Sequence, residues 1–150
     1  MAIISAYPVG TPAAGDYLVG SDITTAGTQI NPTKNFVLSD VVATGLGYTV
    51  YTSLVTQSGL TAPTDIVLKN DTGATMTWAR TGLGVYTCTA SSPIFTVNKT
   101  ICFGNLGRPM IASKLWTWTR TSDSVITIEM SPATADDQLG NGAFEIRIYT

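Results

Sequence analysis

The sequence predicts an all-β protein: an antiparallel sandwich or barrel, jelly-roll-like, preceded by an extended N-terminal arm. Of its 150 residues, 25 are threonine, a β-branched residue that favours strands, whereas charged residues make up only 12%. Most apolar runs alternate with a period of two and are separated by Gly, Asn, Ser and Pro. No segment of ten or more residues has a helical period. Several short alternating strands with frequent turns are typical of sandwiches and barrels.

Residues 1–47 are interrupted repeatedly by proline and glycine, so this segment is too broken to form its own core. Ser39 or Asp40 is expected to cap a single helical turn, which Gly45 and Gly47 then end. We therefore predict an attachment arm over residues 1–47. It contains three short strands: Ile3–Ala6, Tyr17–Val19 and Asn35–Leu38.

Residues 48–150 are predicted to form the β-domain. Its strand-like runs are, in chain order, YTVYTSLVT, TDIVLKN, ATMTWAR, VYTCTA, IFTVNKTICFGN, ASKLWTWTRT, VITIEM and AFEIRIYT. Turn signals such as Asn70-Asp-Thr-Gly and Ser122-Asp-Ser separate them. In the last run, Phe144 and Ile146 fall on one face and Glu145 on the other, as expected for a strand with one buried side.

Charge and residue usage exclude several classes of function. The net charge is −2, from eight basic and ten acidic residues spread along the chain, so neither nucleic acid nor a membrane is an expected partner. No run approaches the roughly 18 apolar residues of a membrane span. The chain has no histidine, the commonest general base and a common metal ligand. We therefore expect no catalytic site, no metal, no cofactor and no enzymatic activity.

The two cysteines, Cys88 and Cys102, fall on successive predicted strands. They can be cross-strand neighbours joined by a disulfide, or remain reduced and partly buried, which is the default outside oxidising compartments. The sequence leaves both alternatives open, with reduced thiols favoured. No histidine is present to activate either thiol as a nucleophile.

Asp136 and Asp137 are adjacent in the polar loop ATADDQLGNG. Paired carboxylates can bind Ca²⁺, but a calcium loop needs several oxygen ligands at defined spacing, and the Asp-x-Asp-x-Asn-Gly order is absent. A solvated loop is the favoured interpretation of this pair.

The aromatic residues Tyr86, Trp116 and Trp118 have two interpretations. They can form an exposed platform on which a sugar ring stacks, which is the basis of an alternative function: a carbohydrate-binding module for a host-surface glycan. They can also pack between two sheets, where aromatic side chains bury a large area. Thr117 and Thr119 occupy the opposite face of the same strand, which favours core packing.

Two segments near the start carry a resemblance to a known class of protein. The runs GDYLVGSDI and NPTKNFVLSDVV, matched over residues 16–22 and 33–41, resemble the opening of structural proteins from tailed bacteriophages, especially marine ones. The later runs MTWARTGLGVYTCTASSPIFTVNKTICF and VITIEMSPATADDQLGNGAFEIRIY are similar to small β-rich domains of the same virion proteins. The resemblance implies a component of the virion, made in the host cytoplasm: a head fibre, a capsid decoration protein or a tail-associated protein. It also implies a homo-oligomer, with a trimer favoured, that binds capsid or tail proteins.

The predicted arm then has a specific role, because two short strands cannot stabilise themselves but can pair with another chain. We expect residues 16–38 to become ordered only in an assembly. The residues expected to form the contact are Asp16, Tyr17, Leu18, Val19, Asn35, Phe36, Val37 and Leu38.

Overall fold

The computed structural model describes residues 11–13, 15–21, 33–107, 115–131 and 136–150. The chain divides into two compact units, Met1–Gly47 and Tyr48–Thr150. The predicted strand Ile3–Ala6 lies outside the described residues.

The first unit contains a β-hairpin and a helix. Strands β1 (Tyr17–Ser21) and β2 (Thr33–Val37) pair antiparallel, and helix α1 (Leu38–Leu46) follows directly. The two strands pair with each other within this unit. Whether they become ordered only in an assembly stays a prediction.

The single helical turn predicted for this unit is wrong in length and in its cap. The helix has nine residues, Val37 occupies the N-cap position, and no side chain caps the helix. Asp40 lies in the first turn, where a carboxylate interacts favourably with the helix dipole. Gly45 is accommodated within the helix, which ends before Gly47 because that residue adopts the left-handed conformation at φ 67°.

The second unit contains eight strands in its described residues, close to the predicted runs. They are β3 (Tyr48–Thr56), β4 (Thr64–Asn70), β5 (Met76–Gly82), β6 (Val85–Ala90), β7 (Thr100–Gly104), β8 (Leu115–Arg120), β9 (Val125–Ser131) and β10 (Gly142–Tyr149).

These strands form two antiparallel sheets that pack as a sandwich. The first sheet has the order β4-β3-β10-β7 and the second has the order β5-β6-β9-β8. The predicted all-β antiparallel sandwich is therefore confirmed. Like a jelly roll, the described part of the second unit has eight strands in two sheets. The hairpins β3-β4, β5-β6 and β8-β9 each stay within one sheet.

The core lies between the inward faces of the two sheets. Phe144 from the first sheet meets Trp78 and Trp116 from the second, with ring centroids 5.4 and 5.6 Å apart. Both faces alternate as predicted: in β10 the side chains of Phe144, Ile146 and Ile148 are buried, and those between them are half-buried. Alternation of this kind specifies the register of a strand that has one buried face.

Candidate functional site

The hairpin and helix of the first unit bring together all eight residues predicted to form the assembly contact. Tyr17 is opposite Val37, Leu18 opposite Phe36 and Val19 opposite Asn35. At the base of the hairpin, the Leu38 amide donates to the Asp16 carbonyl over 2.8 Å. The Asp16 carboxylate accepts a hydrogen bond from the Ala13 amide over 2.7 Å, so it stabilises the turn before β1.

The apolar side chains of this hairpin are exposed. The exposed fraction is 66% for Tyr17, 45% for Leu18 and 73% for Val19. On the helix, Val42 is 55% exposed. Exposed apolar groups concentrated in so small a unit are typical of a surface that another molecule covers.

A groove of about 580 Å³ lies between β2 and α1. Phe36, Val37 and Val41 give it an apolar lining, and Asn35 and Asp40 contribute polar groups at the same groove. Its volume lies within the range of about 300–1,000 Å³ that is usual for ligand pockets, and its lining is mostly apolar.

The three residues of the predicted glycan platform do not form an exposed aromatic surface. Tyr86 is fully buried, and its hydroxyl donates to Gln57 Oε1 over 3.2 Å. Trp116 and Trp118 are half-buried and pack against the core from the edge strand β8. Tyr86 therefore has no face available to a sugar, and the core-packing interpretation fits its surroundings.

Gln57 is a buried polar residue whose role the sequence did not indicate. Its side-chain oxygen accepts from the Tyr86 hydroxyl and from the Asp137 amide, the latter over 2.6 Å. Its amide nitrogen donates to the carbonyls of Gly59 and Thr61. One side chain thus joins the turn after β3, the inward face of β6 and the loop before β10.

Asp136 and Asp137 are not a solvated pair, because each has a specific partner. Arg80 donates two hydrogen bonds to the Asp136 carboxylate, over 2.7 and 2.9 Å. Those hydrogen bonds lower the pKa of Asp136 below its ordinary range. The Asp137 carboxylate accepts from the Gly59 amide over 2.6 Å. Both carboxylates hold the loop in place, so their oxygens do not converge on a cation.

A second polar chain crosses the core between the two sheets. The Trp78 indole nitrogen donates to the Tyr51 hydroxyl over 3.0 Å, and that hydroxyl donates to the Asp65 carboxylate. Burial, together with the hydrogen bond to Asp65, raises the pKa of Tyr51 far above its usual value. The phenol therefore stays neutral and acts as a structural link between β5, β3 and β4.

Cys88 and Cys102 are both free and buried. They are not cross-strand neighbours, because β6 belongs to the second sheet and β7 to the first. Burial raises the pKa of Cys102 to about 12 and that of Cys88 further. Thiols with such pKa values are poor nucleophiles at neutral pH.

Within the ranges that the structure describes, no group of three or more Cys, Asp and Glu side chains is placed to bind a metal ion. In the same ranges, no helix has both the length and the apolar character needed to cross a membrane.

No protein-family model, no curated protein and no solved structure matches this chain. The likeness to phage structural proteins consequently rests on the sequence segments described above.

Proposed function

We propose that the chain is a non-enzymatic structural protein of a bacteriophage virion, in which the first unit attaches to capsid or tail proteins and the β-domain makes homo-oligomeric contacts. The observation that carries the proposal is the exposed apolar surface of the hairpin, above all Tyr17 and Val19. Burial of apolar side chains contributes about 25 cal/mol for each Å² removed from water, so covering this hairpin favours assembly.

The sequence supports the same function independently. The two strands of the hairpin, Tyr17–Ser21 and Thr33–Val37, lie within the two segments, residues 16–22 and 33–41, that resemble the opening of phage structural proteins. A sequence with few charges suits a protein whose surface is largely covered by copies of itself and by other virion proteins.

Quantitative mass spectrometry of purified virus particles from the source of the gene tests this function. We expect peptides of this chain at a fixed ratio to the major capsid protein, unchanged when the particles are washed in high salt. Recovery of the chain only in the soluble fraction of the lysate would contradict the proposal.

The alternative function, a module that binds a host glycan, has less support. Tyr86, one of the three residues of its predicted platform, is buried in the core, and Trp116 makes an edge-on contact with Phe144. A glycan array with the purified chain tests it, and saturable binding that Trp118→Ala abolishes would favour this function over the first.

A further inference from the structure

The outward side of the first sheet carries more large apolar side chains than a solvated sheet is expected to have. We call it the apolar face and define it by the apolar side chains that the strand register places on this side. They are Tyr48 and Leu54 of β3, Ile66 of β4, Ile101 and Phe103 of β7, and Tyr149 of β10. The same register places the polar residues Thr52 and Lys69 on this side, whereas Val50, also on this side, is only 6% exposed. Ile66 is 63% exposed and Phe103 is 47% exposed.

The outward side of the second sheet is the internal comparison, because it belongs to the same sandwich. Its register places there Thr77 of β5, Thr87 and Thr89 of β6, Thr127 of β9, and Thr117 and Thr119 of β8, together with a few aliphatic residues, Ala79, Val85, Leu115 and Val125. An antiparallel sheet that faces water has mostly polar outward residues, as this side has. The apolar face departs from that rule, and patches of this kind mark interaction surfaces.

The apolar surface continues onto the edge of the first sheet. Strand β4 is an edge strand in the order of the described strands, and it exposes three consecutive aliphatic residues, Ile66, Val67 and Leu68. Such a run on an edge is a liability unless another molecule covers it. Asp65 and Lys69 flank the run, in the positions where charged residues protect aggregation-prone segments.

One pair of charges at the centre of the apolar face indicates what covers it. Glu145 and Arg147 lie two residues apart on β10, and Arg147 Nε is 2.6 Å from Glu145 Oε1. The Arg147 guanidinium also lies over the rings of Tyr48 and Phe103, 4.9 and 5.1 Å from their centroids. These contacts hold the two charged groups in place on the face of the sheet.

The order of the two charged residues along β10, Glu145 and then Arg147, is self-complementary. When two antiparallel copies of β10 face each other, Glu145 of each copy is opposite Arg147 of the other, as an interface between identical surfaces requires. The two charges also cancel, so two copies meet without net repulsion. A partner with an acidic or a basic surface would satisfy only one of the two residues.

We propose that the apolar face binds the same face of a second copy of this chain. This proposal rests on the proposed function in one respect, because it says where the homo-oligomeric contact lies. Its test requires no virus particle. Phe103 and Ile101 supply the buried area on the β7 side, and Ile66 supplies it on the β4 side. Glu145 and Arg147 set the alignment of the two copies.

The first experiment compares the mass of the purified chain in solution with that of two variants, by sedimentation equilibrium at micromolar concentration. In one variant, Ile101→Thr and Phe103→Thr are combined, so that the apolar face resembles the threonine-rich outward side of the second sheet. The control, Leu115→Thr, changes a side chain that is 68% exposed on the outward side of the second sheet. We expect the wild type and the control to be oligomeric and the double variant to be a monomer with an unchanged circular dichroism spectrum.

The second experiment uses charge and does not depend on loss of packing. Glu145→Arg and Arg147→Glu each give the face two like charges, and each change is expected to weaken self-association about tenfold or more at low salt. An equimolar mixture of these two variants restores complementarity, because one face is cationic and the other anionic. The mixture should therefore form hetero-oligomers that neither variant forms alone.

Three results would overturn the proposal. They are a monomeric wild type at micromolar concentration, a double threonine variant that keeps the wild-type mass, and charge variants that do not associate when mixed. If the chain is oligomeric through this face but absent from virus particles, the interface stands and the proposed function fails.

Discussion

At the scale of single residues, the ion pair of Arg80 and Asp136 is a structural contact. Only 10% of the Asp136 side chain is exposed, and its two hydrogen bonds are charge-assisted. A carboxylate whose pKa is lowered in the folded state stabilises the fold above its ordinary pKa, and this stabilisation is lost as the pH falls below about 4.

Replacing Asp136 by Asn is therefore expected to lower the free energy of unfolding at neutral pH. The difference between wild type and variant should shrink as the pH falls below about 4, because the wild-type carboxylate becomes protonated there. Urea unfolding over a pH series measures this. Asp123→Asn is the control, since its carboxylate pairs with Arg120 at a largely exposed site. Equal pH dependence of the two variants would contradict the assigned role of Asp136.

The two thiols give a second prediction at this scale. Because burial raises the pKa of Cys88 and Cys102, neither should react with a disulfide reagent at about pH 8 while the domain is folded. Both should react when urea unfolds the chain. Since the folded-state pKa is raised, the thiols favour folding below about pH 8.5, and this contribution is lost as the pH rises further. Rapid labelling of the native chain would show that at least one thiol is accessible.

At the scale of elements, Gln57 joins three segments through one buried side chain. Gln57→Leu removes the acceptor of the buried Tyr86 hydroxyl and of the part-buried Asp137 amide, and a buried donor left without its acceptor costs about 1–3 kcal/mol. In a double-mutant cycle with Tyr86→Phe, we expect a coupling energy of about 0.5–3 kcal/mol. Thr117→Ala, on an exposed side, should change stability by about 0.5 kcal/mol or less. Additive effects in the cycle would contradict the proposed contact.

The hairpin of β1 and β2 provides a prediction about order. Two strands alone are marginally stable in water, so we expect their amides to exchange hydrogen rapidly in the isolated chain. Exchange should slow in the virus particle, while the amides of β10 stay protected in both. Strong protection of residues 17–21 and 33–37 in the isolated chain at low concentration would show that the hairpin needs no partner.

The strands were predictable from the sequence because their signals are local. Alternation identified β3, β6 and β10 to within a residue or so, and Gly and Asn marked the turns between strands. Contacts between distant residues were not predictable. Arg80 and Asp136 are 56 positions apart, and nothing in the local sequence links them. The assignment of Cys88 and Cys102 to different sheets likewise depends on long-range strand pairing.

At the scale of the whole molecule, the two outward faces explain the unusual composition. One side of the sandwich is rich in threonine, and the other side carries large apolar side chains around the ion pair of Glu145 and Arg147. A low charge content is therefore compatible with a folded domain of which one side faces water and the other a protein partner. The hairpin unit adds further exposed apolar residues, and both surfaces fit a component of a larger assembly.

We propose that the first unit attaches this chain to a virion, and the incorporation of variants into particles tests this claim. Tyr17→Ser combined with Val19→Ser removes exposed apolar groups from β1, and Leu60→Ser changes a side chain of the β-domain that is 77% exposed. Copy number is counted by mass spectrometry of particles produced with each variant. We predict that the β1 variant falls at least about tenfold below wild type, as a loss of 1.4 kcal/mol in binding produces, and that the Leu60 variant does not. Equal incorporation of both variants would contradict the claim.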